Sequence, residues 1–453
     1  MVAVSTVPGG GILVEILELA LAEIKAKKAD GEVCYTRGEE LSVEVREGRV
    51  ETVKQAVEEG VGVRVFYEGR LGFAYTTVMT PEKIKETVEK AVQAAKITDS
   101  DPYLRLAKPS TYPTPELTDP EITTASLEEK VNLALTMERE ALNFSPKIKG
   151  IETAAYDDYH YQWHLANTEG FFGSFSGNYA SIYIYLASED ESGSETAFSY
   201  KVTRKFKEID PKAVGREAAE KAVAKLGAGK VPSGRYMALL DPYVAVNLLG
   251  VLKASFLAEN VQKGKSLLKG KLGEKVFSPV FSLIDDGTLK DGLATAPFDG
   301  EGVPTRKTVL VENGTVKSFL YNLYTAAKEG AVSTGNAVRS SFKALPELGT
   351  TNFYIPRGGV SRESLFKQTS RGVYITEVLG MHTANPVSGD FSVGATGFLV
   401  ENGEIIRPVR GITIAGNIKD LFGKLIAVGD DLRFYGAKGS PTLLIEEVAV
   451  SGS

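Results

Sequence analysis

The residues able to do chemistry in this chain are few. Histidine occurs three times in 453 residues, at positions 160, 164 and 382, and cysteine once, at position 34. None of the histidines is followed by glutamate, as the metal-binding helix of a zinc protease requires. His160 and His164 have the spacing that sets two imidazoles on one helical face, ready for a metal. Their surroundings, DYHYQWH over 158–164, read instead as an aromatic-rich strand, where residues four apart share a face but stand roughly 13 Å from each other. One ion cannot bridge that gap. A single cysteine excludes an intrachain disulfide, a thiolate zinc site and a CxxC redox pair. Gly264-Lys265-Ser266 looks like the end of a phosphate-binding loop, but the glycine that should open the loop falls at position 259, which is glutamate. No GxSxG elbow is present. The pairs Asp285-Asp286 and Asp430-Asp431 read as caps at turns.

The stretch 380–395, GMHTANPVSGDFSVGA, is dense in polar side chains and glycine where a core strand would be apolar. It reads as a binding surface. Gly389 and Gly394 permit close approach of another backbone, while His382, Asn385, Asp390 and Ser392 are suited to orienting a bound chain or its terminus. A plainer reading stands beside this one, in which Asn385, Asp390 and Ser392 cap a turn and satisfy buried backbone groups.

The elements that must position these residues fall into two halves. A helix over 11–28 is followed by strands at 32–36, 41–46, 61–67 and 72–75, and then by a helix opened by Thr80-Pro81. The order repeats as a helix over 126–143, strands at 152–157, 159–166, 180–187 and 196–202, and a helix opened by Asp210-Pro211. Both closing helices carry Glu-Lys-Ala-Val, at 89–92 and 220–223. The pattern predicts an α+β protein. Antiparallel sheets packed with helices make an N-terminal domain over 1–228, a duplicated helix-sheet-helix unit with repeats at 11–97 and 126–227. An exposed linker at 98–118 joins the repeats, and a β-rich domain over 229–453 follows. In that last domain Asp241-Pro242 opens a helix over 243–259, and two Glu-Asn-Gly turns, at 312–314 and 401–403, mark hairpins.

Composition sets the outer bounds. At 43% hydrophobic and 24% charged residues the chain can bury two or three cores, and its net charge of -6 argues against a nucleic-acid partner. The lone cysteine fits a reducing cytosol. The start of the chain lacks a basic segment, and Glu15 and Glu18 interrupt the apolar run over 12–21, so neither a signal peptide nor a membrane span is expected.

Gly292, FDGEGVPTR over 298–306, Tyr324-Thr325-Ala326, STGN over 333–336, Asn352, the 382–397 stretch, IAGN over 414–417, VGDDL over 428–432 and Ser440-Pro441 together carry a resemblance. The chain resembles the TldD/TldE (PmbA) family across nearly its whole length. The resemblance implies a cytoplasmic zinc metalloprotease of two related subunits that cuts unfolded or flexible peptides, only one subunit holding the metal through a helical HExxxH motif and a late cysteine. Here Leu249, Gly250 and Ala254 occupy the places of the first histidine, the glutamate and the second histidine, and no cysteine lies near Tyr435-Gly436-Ala437. The resemblance is therefore to the TldE (PmbA) type. It implies no catalytic or metal-binding residue in this chain, zinc in an HExxxH-bearing TldD-type partner, and a heterodimer with that partner. The 382–392 residues would then line a peptide groove at the subunit junction. A stand-alone homodimeric peptide-binding protein is the alternative, and an independent hydrolase using His382 with Asp390 or Ser392 ranks last.

Overall fold

The computed structural model describes residues 11–452; the reading of residues 1–10 as lacking a signal segment lies outside them. The first copy of the repeat is α1 (Gly11–Ala26), β1 (Asp30–Arg46), β2 (Arg49–Tyr67), β3 (Arg70–Thr76) and α2 (Pro81–Lys96). After a short α3 (Pro120–Thr124), the second copy is α4 (Leu127–Phe144), β4 (Ile148–Asn167), β5 (Phe172–Asp190), β6 (Gly193–Thr203) and α5 (Pro211–Ala224). Each copy forms a three-stranded meander, and the two fuse. β1 pairs antiparallel with β4 from Glu32↔Asn167 to Val45↔Ala154, giving one six-stranded sheet of order β3-β2-β1-β4-β5-β6.

The strands are longer than the hydrophobic pattern alone predicts. β1 continues through the polar 37–40 stretch and β2 begins at Arg49, not at Val61. Residues 49–58 are exposed, so alternation is absent there and only the ladder to β1 holds them extended. Helix starts follow their capping chemistry. The Ser126 hydroxyl accepts from Glu129 N–H at 3.2 Å while the Glu129 carboxylate accepts from Ser126 N–H at 2.7 Å, and Asp210 caps α5 through Ala213 N–H at 3.0 Å. α2 packs Ile84, Val88 and Ala91 on Val33, Val61 and Val63, while α4 and α5 pack Met137, Ala218 and Ala222 on Ile182 and Ile184. α5 crosses α4 so closely that a Cβ on Gly215 would lie 2.3 Å from the Met137 carbonyl oxygen.

The C-terminal half begins with β7 (Gly234–Leu240) and α6 (Pro242–Leu252). β7 runs parallel to Arg371–Leu379, which pairs with Asp390–Glu401, which pairs with Glu404–Asn417. That last strand and β7 both pair with Leu443–Ser451, closing a five-stranded barrel. A second sheet contains Leu283–Asp286, Asn352–Tyr354 and the hairpin of Arg433–Tyr435 with Lys438–Ser440. Leu248, Leu249, Phe256, Phe281, Phe353 and Phe422 fill the core between barrel and sheet. The helix expected over 243–259 stops at Leu252. Leu320 N–H donates to the Phe256 carbonyl at 2.9 Å and Ala258 N–H to the Leu320 carbonyl at 3.0 Å, drawing the chain into an extended bridge that helix propensity cannot override.

Two features tie the halves together. Arg204, 1% exposed, has no carboxylate partner; its five N–H groups donate to the carbonyls of Leu117, Asn178, Gly292 and Leu293 and to the Tyr161 hydroxyl, at 2.9–3.0 Å. Leu117 belongs to the irregular 98–118 segment, which lies strapped across the molecule. Near the other end of the sheet, Glu32 and Arg64 meet Glu301 and Arg339 in a buried quartet. Arg64 contacts Glu32 at 2.8 Å and Glu301 at 3.3 Å, and Arg339 pairs with Glu32. Among the described residues no helix is long and apolar enough to cross a membrane.

Candidate functional site

A cavity of about 680 Å³ opens between the outer edge of β6 and the C-terminal half. Its walls come from β6, α5, the first turn of α6, the barrel strand 371–379 and the 433–440 hairpin. β6 is the last strand of its sheet, so alternate backbone groups along it face this opening with no neighbouring strand.

Asp241 starts the site. As the N-cap of α6 its carboxylate accepts from Tyr243 N–H at 2.9 Å, and its other oxygen accepts from the Tyr374 hydroxyl at 2.6 Å. Arg362 donates to that hydroxyl in turn at 2.8 Å. Burial, then the Asp241 charge, drives the Tyr374 pKa far up, so the phenol stays protonated. Across the cavity, Glu217 on α5 takes a two-pronged guanidinium from Arg433 at 2.8 and 3.1 Å, an ammonium from Lys221 at 2.6 Å and the Ser199 hydroxyl at 3.0 Å. Burial raises its pKa, but Arg433 and Lys221 outweigh that and hold it down to about 2. Lys225 and Glu377 pair at 2.7 Å.

Between these fixed charges stand four rings from three elements: Phe198 and Tyr200 on β6, Tyr243 on α6 and Tyr435 on the hairpin. Phe198 and Tyr243 centroids lie 5.2 Å apart, Tyr243 and Tyr435 5.2 Å, and Tyr200 and Tyr435 5.7 Å. Burial pushes the Tyr200 phenol up to about 12 and the Tyr435 phenol further. The hydroxyls of Tyr200, Tyr243 and Tyr435 have no hydrogen-bond partner among the described residues. Each can both donate and accept, so the cleft offers three unused polar groups on aromatic walls beside an open strand edge.

The residues singled out in 380–395 lie elsewhere. Asn385 Oδ1 accepts from the N–H groups of Val387 and Ser388 at 2.9 and 3.2 Å, and its own N–H donates to the Asp390 carbonyl at 2.9 Å. Asp390 accepts from Asn417 Nδ2 at 3.0 Å, and that bond, with help from Ser388, holds its carboxyl below the usual range. Gly389 has φ +81°, and a Cβ there would meet Leu267 Cδ1 at 2.7 Å. His382 is exposed in a short 3₁₀ turn and its side chain makes no hydrogen bond among the described residues, while Ser392 points outward from the strand 390–401. Four of the five residues therefore meet in one surface turn, with Ser392 just beyond it, and none lines the large cavity. In the quoted 292–352 motifs, Asp299 and Asn352 hold the surrounding backbone. Asp299 accepts from the N–H groups of Glu301, Val303 and Ala337 at 2.9–3.0 Å, and Asn352 Nδ2 donates to the Asp286 carbonyl at 2.7 Å and Thr295 at 3.0 Å.

Catalytic zinc does not fit the side chains present. Leu249 is wholly buried in the core, and Gly250 and Ala254 have no ligating atoms. The Lys438 ammonium lies 3.3 Å from where a Gly250 Cβ would be. Among the described residues no group of three or more His, Cys, Asp or Glu could hold a metal ion.

Domain by domain, the chain matches a known family of metallopeptidases. The chain matches domain 1 of the PmbA/TldA metallopeptidases over residues 31–95, their central domain over 120–226 and their C-terminal domain over 233–452. It is 29% identical over 445 residues to metalloprotease PmbA of Escherichia coli O157:H7, covering 97% of this chain and 96% of that protein. A crystal structure of a candidate modulator of DNA gyrase from Thermotoga maritima superposes with a TM-score of 0.90 at 31% identity, over 97% of this chain and 100% of that one. TldE from Thermococcus kodakarensis gives 0.90 at 25% identity, over 98% and 100%. The chain belongs to the PmbA/TldD family.

Proposed function

We propose that this chain is the metal-free, peptide-holding subunit of a two-subunit peptidase of the TldD/TldE type. The observation that carries the reading is the cleft: three unpartnered phenols on aromatic walls beside the free edge of β6 suit an extended, flexible peptide better than a compact metabolite. Such a peptide lies along β6, exchanges backbone hydrogen bonds with the strand, and turns remaining carbonyls and N–H groups to Tyr200, Tyr243 and Tyr435. A folded segment cannot do this, because its backbone groups are already paired.

The chain does not cut the peptide itself. Zinc, its activated water and the general base belong to an HExxxH-bearing homologue that docks as a heterodimer in the cytoplasm. The exposed turn carrying His382, Asn385, Gly389 and Asp390, with Ser392 beside it, contributes to the substrate groove at the junction with that partner. Cleavage of casein and of a flexible peptide by the homologue, with and without this chain, tests the reading, together with metal analysis of both proteins. Faster cleavage by the mixture, with zinc tracking the homologue, is expected. Equal rates with and without this chain, or chelator-sensitive cleavage by this chain alone, would sink the reading.

A further inference from the structure

From the Tyr243 wall of the cleft a partly exposed stripe runs along α6, and the two ends of that stripe differ in charge. Within the helix, Tyr243, Asn247 and Gly250 are partly exposed while Val244, Ala245, Val246, Leu248 and Leu249 are buried, so one narrow stripe faces outward, continued by Lys253 just past its end. The 433–440 hairpin lies against this stripe. Tyr435 and Lys438 are direct cross-strand partners, so their side chains stand on the same face of the hairpin. Tyr435 meets the first turn of α6, ring to ring with Tyr243. Lys438 meets Gly250, two turns or about 10 Å further along.

At the Tyr243 end the carboxylates of Asp241 and Glu217 are fixed by hydrogen bonds and ion pairs. At the Gly250 end no carboxylate pairs with a lysine among the described residues. Lys438 is half-buried, and neither it nor Lys253 makes a hydrogen bond or ion pair among the described residues. The charge that Lys438 feels is that of Lys253, which with burial lowers its pKa. An ammonium kept partly out of water beside a second cation and without an anion is unfavourable unless something arrives to neutralise it. The missing side chain of Gly250 leaves the room in which Lys438 sits.

We infer that Lys438, seconded by Lys253, is a carboxylate-binding subsite just beyond the cleft, next to its lining residue Tyr435, which fixes the direction in which an extended peptide lies. The inference rests on the peptide-holding reading and deepens it. The carboxylate comes from the free C-terminus of the peptide or from an Asp or Glu side chain within it. The Tyr243 end of the stripe, with Asp241 at its cap, then faces the N-terminal side of the bound segment.

The test uses the full chain and three flexible peptides with an N-terminal fluorophore: one ending in a free carboxylate, the same sequence as a C-terminal amide, and the amide with one added internal glutamate. Binding is followed by fluorescence anisotropy. The free acid is expected to bind at least tenfold more tightly than the amide, as a charge-assisted hydrogen bond provides. K438M should remove that difference and K438R retain most of it. Tight binding of the glutamate-bearing amide assigns the site to side-chain carboxylates; its failure to bind tightly assigns it to the terminus. Equal affinity for acid and amide on the unaltered chain, or an undiminished difference in K438M, overturns the inference and leaves the peptide-holding reading intact. If none of the peptides binds, both fall. The acid-amide comparison on the unaltered chain does not depend on any variant folding.

Discussion

Where β1 and β2 meet the loop carrying Glu301 and the Arg339 segment, two carboxylates and two guanidiniums lie at 6% exposure or less, paired with one another. Where β6 meets α6, charged groups are just as numerous, yet a cavity of about 680 Å³ separates the walls and three phenols remain without partners. The same two halves of the chain are joined at both places. One junction pairs its charges with one another, even at the cost of leaving Arg64 Nε and Arg339 Nε and Nη1 buried without partners; the other holds spare hydroxyls open to a ligand. Buried charge pairs are poor stabilisers overall but punishing to break, whereas solvated, unpaired hydroxyls cost little to keep and become useful once a ligand displaces water. The first junction therefore fixes the halves and the second is free to bind.

The contrast can be broken at either place. The largest effect is expected from Glu32→Ala, which strands Arg339 and leaves Arg64 only its longer contact to Glu301. A loss of roughly 3–5 kcal/mol in urea unfolding follows, with peptide affinity unchanged in whatever remains folded; a loss below about 1 kcal/mol would mean that this junction does not hold the halves together. His164 comes next. Both its ring nitrogens are buried without partners, and burial lowers its pKa from 6.5 to about 4. The unfolded chain takes up the proton below about pH 6.5 while the folded chain resists until about pH 4. Stability should thus fall across that window by up to about 3 kcal/mol, and His164→Leu should flatten that part of the curve in pH-dependent unfolding.

At the open junction, replacing Tyr200, Tyr243 and Tyr435 together by phenylalanine should weaken peptide binding about tenfold or more while the unfolding free energy moves by less than about 1 kcal/mol. The reverse outcome, lost stability with intact binding, would show that the phenols are structural. In the 380–392 turn, Asn385→Ala removes two backbone caps and should cost about 1 kcal/mol in thermal unfolding. His382→Ala, the smallest change, should stay within about 0.5 kcal/mol. Any slowing of peptide cleavage by the two-subunit mixture in that variant then reports on function, since stability is untouched.

The fold was legible where burial imposed a period. Strand alternation and caps such as Thr80-Pro81, Asp210-Pro211 and Asp241-Pro242 located the repeats and the start of α6, and the Glu-Asn-Gly turns located both hairpins, with φ positive at Asn313 and Asn402. What was not legible depended on partners distant in sequence. Nothing local indicates that β1 finds β4, or that Leu320 ends the α6 helical run. The cleft escaped for the same reason. Phe198, Tyr200, Tyr243 and Tyr435 belong to three elements more than forty residues apart wherever they change element, and each by itself is an ordinary aromatic residue. The 380–395 stretch stood out because its polarity is local, and a local polar cluster is as easily a self-satisfied turn as a site. Asn385 and Asp390 bond within that turn, while His382 is left free.

Arg204 has a mechanical consequence. Its guanidinium draws carbonyls from the β5 strand, the 98–118 strap and the C-terminal half onto one point, with no anion to accompany it if they separate. Swinging the halves apart would cost Arg204 its bonds to the Gly292 and Leu293 carbonyls, charge-assisted hydrogen bonds worth roughly 1.5–3 kcal/mol each. The jaws are in effect riveted, so pliancy has to be supplied by whatever threads between them.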